Sequence, residues 1–275
     1  MTFEPKHLEM TSFPIDQLAE TFSTFRPSHI WHFAADTGSS LGRTRESQSA
    51  ADSNLTQRLV DLINRDRTDC TLLYSSSGAV YGRRRTRRIP IAESESVISA
   101  SLENADPYDL TKLRSESVLE EFANLETSVV GVCRLFAFIG PLLPTDQHFA
   151  IGNFIGAASR GQPVVLKSSG RDFRSWLYCS DLARYMIALT FATQSFVVNV
   201  GSHEWLTIRE AAELVANIGG VRLTESLDSG DDEKGEPSFY VPDVSLLNKM
   251  VSIGSLSGLA NSIQRTIHWH RETRY

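Results

Sequence analysis

Apolar and polar positions recur at two periods along this chain. Ile15, Leu18, Ala19, Phe22 and Phe25 fall three and four apart, which predicts an amphipathic helix over 16–25. Residues 28–35 follow as an apolar strand, IWHFA at its centre. A helix over 54–63, a strand over 70–77, a helix over 108–123 and a strand over 128–135 continue the alternation. Strands alternating with helices predict a parallel sheet with right-handed crossovers. From position 141 the texture changes. Helices are expected over 149–160, 206–218 and 257–270, a short strand over 163–167, and a Gly- and Asp-rich loop over 224–236. Between them, 181–200 returns the chain to the sheet.

The chain of 275 residues is long enough for a substantial core, as one large domain or two interleaved ones. Its net charge of -6 argues against a general nucleic-acid binder. No apolar run approaches the roughly 20 residues of a membrane span, and the first residues carry no secretory pattern. Cys70, Cys133 and Cys179 are scattered and odd in number, which suits a reducing cytosol and suggests neither disulfides nor a metal site.

The chemistry concentrates in two places. Tyr108 and Lys112 lie four apart on a predicted helix, so their side chains share one face. An ammonium beside a phenol favours the phenolate and draws the tyrosine down from its usual pKa of about 10. A tyrosine so primed suits acid/base work in alcohol–ketone interconversion. Upstream, the run LLYSSSGAVYG at 72–82 reads as a buried strand opening into a polar turn. In doubly wound folds the carboxyl ends of strands form the binding crevice. Ser77 there is placed to hydrogen-bond a substrate hydroxyl and orient proton transfer to Tyr108. The alternative is a plain serine-rich turn.

Further segments match a known pattern in order. HFAA at 32–35, RLFAFIGP at 134–141, RSWLYCSD at 174–181, and NVG at 199–201 followed by LTIREAA at 206–212 accompany the serine turn and the Tyr108/Lys112 pair. Together they resemble the extended short-chain dehydrogenases/reductases of the NAD-dependent epimerase/dehydratase family, from about residue 6 to the end. The resemblance implies an α/β fold, an incomplete Rossmann-like doubly wound parallel sheet with a smaller interleaved α/β substrate domain. The sheet domain would comprise 1–141 and 174–201, the substrate domain 142–173 and 202–275.

By the same resemblance, Ser77, Tyr108 and Lys112 are the catalytic residues. Ala34, Ala35, Asn54, Ser75, Tyr108, Lys112 and Phe136 face NAD or NADP. Ser77 and Arg174 bind a nucleotide-sugar substrate, Arg174 through its diphosphate. The implied reaction is nucleotide-sugar epimerisation or keto-sugar reduction. A non-catalytic descendant that binds a nucleotide sugar or a protein partner is the second reading. Gly78 and Ala79 stand where the family's dehydratases carry Asp-Glu, so dehydration is disfavoured. Ala137 and Ser175 depart from the usual Asn and Asp.

The family's opening strand, Gly-x-x-Gly-x-x-Gly loop and helix find no counterpart in this sequence. Residues 6–10 already resemble the third strand. The strand at 28–35 is then expected to present an apolar edge. Three resolutions stay open: the chain is part of a longer protein, a partner chain or second copy covers the edge, or the third strand moves beside the fourth. The run RRRTRR at 83–88 is either a loop attracting a diphosphate or a solvated loop. His268 and His270 read as an exposed pair, and His32 as a hydrogen-bonded packing residue.

Overall fold

The computed structural model describes residues 17–33, 45–66, 69–82, 87–95, 97, 106–125, 128–146, 149–226 and 236–273, with backbone alone for 45–53 and 125. The expected strand at 6–10, Ala34, Ala35, positions 83–86 of the arginine run and positions 227–235 lie outside the described residues.

The first half alternates as the periodicity predicts. Its elements are α1 (Leu18–Phe25), β1 (His29–His32), α2 (Arg45–Asp66), β2 (Thr71–Ser77), a 3-10 turn (Gly78–Tyr81), α3 (Pro107–Leu125) and β3 (Val129–Leu135). The second half carries β4 (Phe138–Ile139), α4 (Ala150–Ser159), β5 (Val164–Leu166), β6 (Phe173–Ser175), β7 (Leu177–Tyr178), α5 (Cys179–Leu189) and β8 (Phe196–Val200). It ends with β9 (Trp205–Thr207), α6 (Ile208–Gly219), β10 (Leu223–Glu225), β11 (Phe239–Tyr240), α7 (Ser245–Met250) and α8 (Leu259–Glu272).

The main sheet is parallel with order β1-β2-β3-β8. Leu72, Leu73 and Tyr74 in β2 are all fully buried, as a strand covered on both faces requires. Leu72 and Tyr74 pack with Phe22, Val60, Ile63, Leu119 and Phe122 from the α1, α2 and α3 side. Leu73 points the other way, to Tyr185, Leu189 and Leu247 from α5 and α7. Among the described residues β1 pairs only with β2. Trp31 in β1 and Phe33 just after it are 44% and 46% exposed.

A second core joins α4, α6 and α8 to β5 through Ile155, Val164, Ala212, Val215 and Ile263. The start of α6 is set by a capping box between Thr207 and Glu210, and its end by Gly220 at φ 69°. Beside it, β11-β6-β9 form a three-stranded sheet, parallel on one side of β6 and antiparallel on the other. No helix among the described residues is long and apolar enough to cross a membrane.

Candidate active site

The start of α3 places the tyrosine. Pro107 opens the helix with a pre-set φ, and the Asp106 carboxylate accepts the Tyr108 backbone N–H at 2.9 Å. Lys112 follows one turn later and is 2% exposed. Its Nζ donates to the Ser75 carbonyl at 2.7 Å. It also sits 4.8 Å over the Tyr74 ring and 5.6 Å from the centre of the Tyr108 ring. A buried ammonium is costly unless bonded and partnered, and here β2 and α3 supply both a carbonyl and aromatic faces. The pair therefore converges on the carboxyl end of β2.

That end is shaped by Ser77, which caps the 3-10 turn by accepting the Ala79 N–H at 3.1 Å. Gly78 has no room for a side chain: a Cβ there would lie 2.7 Å from the Phe136 ring and from the Tyr240 hydroxyl. Ser75 donates to the His32 carbonyl at 3.3 Å, tying the ends of β1 and β2.

Behind the turn runs a buried polar chain. Arg134 on β3 grips Glu116 on α3 through two bonds, 3.2 and 2.7 Å. Ser76 donates to the same carboxylate. Arg134 also donates to the Tyr81 hydroxyl at 2.7 Å, and Tyr81 donates to Asn199 Oδ1 on β8 at 2.9 Å. Asn199 Nδ2 closes on the Ile91 carbonyl at 2.8 Å. Burial disfavours the Arg134 charge, but Glu116 outweighs it and holds the guanidinium above its ordinary value. Burial likewise raises the Tyr81 phenol.

His32 is buried and shares a 2.9 Å hydrogen bond with Thr56, whose hydroxyl donates to Ser115 at 3.1 Å. Burial, helped by the Lys112 charge, lowers its pKa to about 4, so the ring is neutral near pH 7. Its place at a strand end agrees with the packing role expected from the sequence.

Arg174 sits in β6, in register with Tyr240 of β11. Its guanidinium donates to the Phe173 carbonyl at 2.7 Å and to Ser238 Oγ at 2.9 Å, and lies 5.7 Å over the Tyr240 ring. The acid nearest to it, Asp172, is 3.5 Å away and itself 46% exposed. Burial draws Arg174 below its ordinary value, against the pull of Asp172 and Tyr240. At the described end of the arginine run, Arg88 stacks 4.5 Å over Phe173, the residue before Arg174. A separate cavity of about 530 Å³ opens between α4 and β5, lined by Asn153, Phe154, Arg160, Val165 and Lys167 among others. That volume suits a small ligand.

The structure thus brings Ser75, Ser77, Tyr108 and Lys112 to one strand end. Phe136 is buried just beyond β3, and Asn54 is exposed on α2. Ser175 is buried without a hydrogen-bond partner. The two histidines of α8 differ from the exposed pair expected: His268 is exposed and meets Glu272 at 3.1 Å, while His270 is half-buried with its Nε2 unpartnered. The helix turns them apart, and the second faces the α4 side. Glu116, Tyr81, Asn199 and Tyr240 escaped the sequence reading. Glu116 had a signal, four residues after Lys112 on the same helix face, and Asn199 stands out within the apolar strand FVVNV. Tyr240 had none.

Several known proteins are similar to this chain. The UDP-glucuronic acid decarboxylase 1 of Xenopus tropicalis is 26% identical over 165 residues, covering 60% of this chain and 39% of that protein. The UDP-glucose 4-epimerase of Mycoplasma genitalium is 28% identical over 169 residues, 61% of this chain and 46% of that protein. The matches span about half or less of these curated relatives. Among solved structures, the UDP-N-acetylglucosamine 4-epimerase of Methanobrevibacter ruminantium in complex with UDP-N-acetylmuramic acid superposes with a TM-score of 0.80 at 20% identity, covering 98% of this chain and 86% of that one. The Thermotoga maritima UDP-glucose 4-epimerase with UDP-glucose gives 0.77 at 20% identity, with 94% and 82% covered. At such identities the likeness shows the fold. The model of the NAD dependent epimerase/dehydratase family matches residues 6–201, and the chain belongs to that family.

Proposed function

We propose that this protein oxidises or reduces a sugar carbon of a nucleotide sugar, as an epimerase or a keto-sugar reductase. The carrying observation is Lys112: a buried ammonium bonded to the end of β2 and 5.6 Å from the Tyr108 ring. In this reading Tyr108 takes the proton of a sugar hydroxyl, and Lys112 stabilises the phenolate. Ser77 orients the hydroxyl. Arg174, half-buried with the Asp172 carboxylate 3.5 Å away, binds the diphosphate through its fork of N–H donors.

The nicotinamide ribose of NAD or NADP fits the donors at the β2 end, with Tyr108 and Lys112 holding it. The bound dinucleotide would supply hydride exchange with the sugar carbon. Ala137 and Ser175, where the family usually carries Asn and Asp, favour the second reading, a descendant that binds nucleotide sugars without turning them over.

A titration of the protein with NAD and NADP, followed by tryptophan fluorescence, separates the two. Trp31 lies on the edge strand beside the expected cofactor cleft. A saturable response below about 1 mM, together with conversion of a UDP-sugar to its epimer or oxidation of reduced cofactor by a UDP-keto-sugar, supports the enzyme. Silence with both cofactors, while UDP-sugars still bind, leaves the binding protein.

A further inference from the structure

We infer that Asp172 makes the site discriminate against free nucleoside diphosphates in favour of nucleotide sugars; this rests on the role proposed above for Arg174. Asp172 and Arg174 are two apart at the start of one strand, so their side chains share a face. Ser238 and Tyr240 take the same face of the neighbouring β11, which pairs in register with β6. Phe173 and Phe239 turn to the opposite face, at 7% and 1% exposure.

Backbone bonds hold the acid in place. Asp172 Oδ1 accepts the Ser238 N–H at 2.7 Å, and the Asp172 carbonyl accepts the Ile208 N–H at 2.9 Å. The Phe173 N–H in turn donates to the Ser238 carbonyl at 2.8 Å. The second carboxylate oxygen, Oδ2, stands 3.5 Å from Arg174 Nη2. Arg174 Nη1 is already committed to the Phe173 carbonyl and to Ser238 Oγ. A phosphate arriving at the guanidinium therefore meets the remaining donors, Nη2 among them, beside a fixed negative charge.

That carboxylate orients the guanidinium and also repels what the guanidinium binds. The repulsion grows with the charge of the ligand. A nucleotide sugar carries one negative charge on each phosphate. A free nucleoside diphosphate carries one more above about pH 6, where a terminal phosphate loses its second proton. One further unit charge about 6 Å from Asp172, in a water-like dielectric, corresponds to about threefold in affinity. The site thereby holds back the nucleotide that has lost its sugar and admits the intact substrate.

Calorimetry on the full chain, at about pH 8 and low salt, tests this with UDP and UDP-glucose. Asp172→Asn keeps an acceptor for the Ser238 N–H and removes the charge. It is expected to tighten UDP about tenfold and UDP-glucose about threefold. Both gains should shrink to within about twofold at roughly 0.5 M salt, because Asp172 is 46% exposed. Ser238→Ala removes an acceptor of Arg174 and no charge, so it should shift both ligands alike. Equal gains in Asp172→Asn, no gain or a loss overturn the inference, and so does a Ser238→Ala variant that separates the two ligands. If the unaltered protein binds both ligands and Asp172→Asn changes neither, the inference alone falls; if it binds neither, the proposed function itself falls.

Discussion

Arg134 is buried and Arg174 half-buried, and their surroundings answer that desolvation in opposite ways. Arg134 meets a carboxylate through two hydrogen bonds and a phenol through a third, and its charge is held above the ordinary range. Arg174 meets a carbonyl, a hydroxyl and one half-exposed acid at 3.5 Å, and is drawn below it. A guanidinium whose field is already cancelled has little to offer a ligand. One whose burial is poorly compensated gains most from an arriving anion. The contrast separates a brace from a binding group, where the sequence shows only two arginines in motif-like segments.

Breaking the brace should have the largest effect. Glu116→Ala leaves Arg134 buried without its acid and strips Ser76 of its acceptor, so urea unfolding should show a loss of about 3–5 kcal/mol. A loss below about 1 kcal/mol would mean that water reaches the pair and that the two arginines are alike. Next comes pH. His32 stays neutral in the folded protein down to about 4, while unfolded histidine protonates near 6.5. Its contribution therefore declines as pH falls through that window, by about 3 kcal/mol in all. His32→Gln should show a flatter stability profile between those values. A parallel profile would place the charge burden on the other side of the sheet.

Arg174→Ala should weaken UDP about 10–100-fold in calorimetry while changing stability by less than about 1 kcal/mol. The reverse pattern would make Arg174 a second brace. Tyr81→Phe is the mildest: it removes the link between Arg134 and Asn199 and should cost about 1–2 kcal/mol, with UDP affinity unchanged.

Much of the main sheet was legible from sequence. The runs LLY at 72–74 and VVGVC at 129–133 are apolar throughout, which marks strands covered on both faces, and the first helix carries clear one-sided periodicity. Boundaries moved by a few residues, most at α2, which begins at Arg45 where polar residues hide the period. The Tyr108/Lys112 pair was legible because helix spacing is a local property. Tyr240 was not, since its position beside Gly78 depends on a strand pairing with Arg174, 66 residues earlier. The difference between the two arginines was equally hidden, because charge compensation is set by how closely an acid is held and how far both groups are desolvated.

By itself, the sequence determined the order of strands and helices, the burial of β2 and β3, and the shared helix face of tyrosine and lysine. Each follows from a repeat of two or of three to four residues acting over one or two turns. Tertiary structure alone decided that Lys112 bonds the end of β2, that Glu116 neutralises Arg134, and that Tyr240 closes over Gly78. Those contacts join elements distant along the chain, and the physics that fixes them is desolvation and steric fit, which have no period to read.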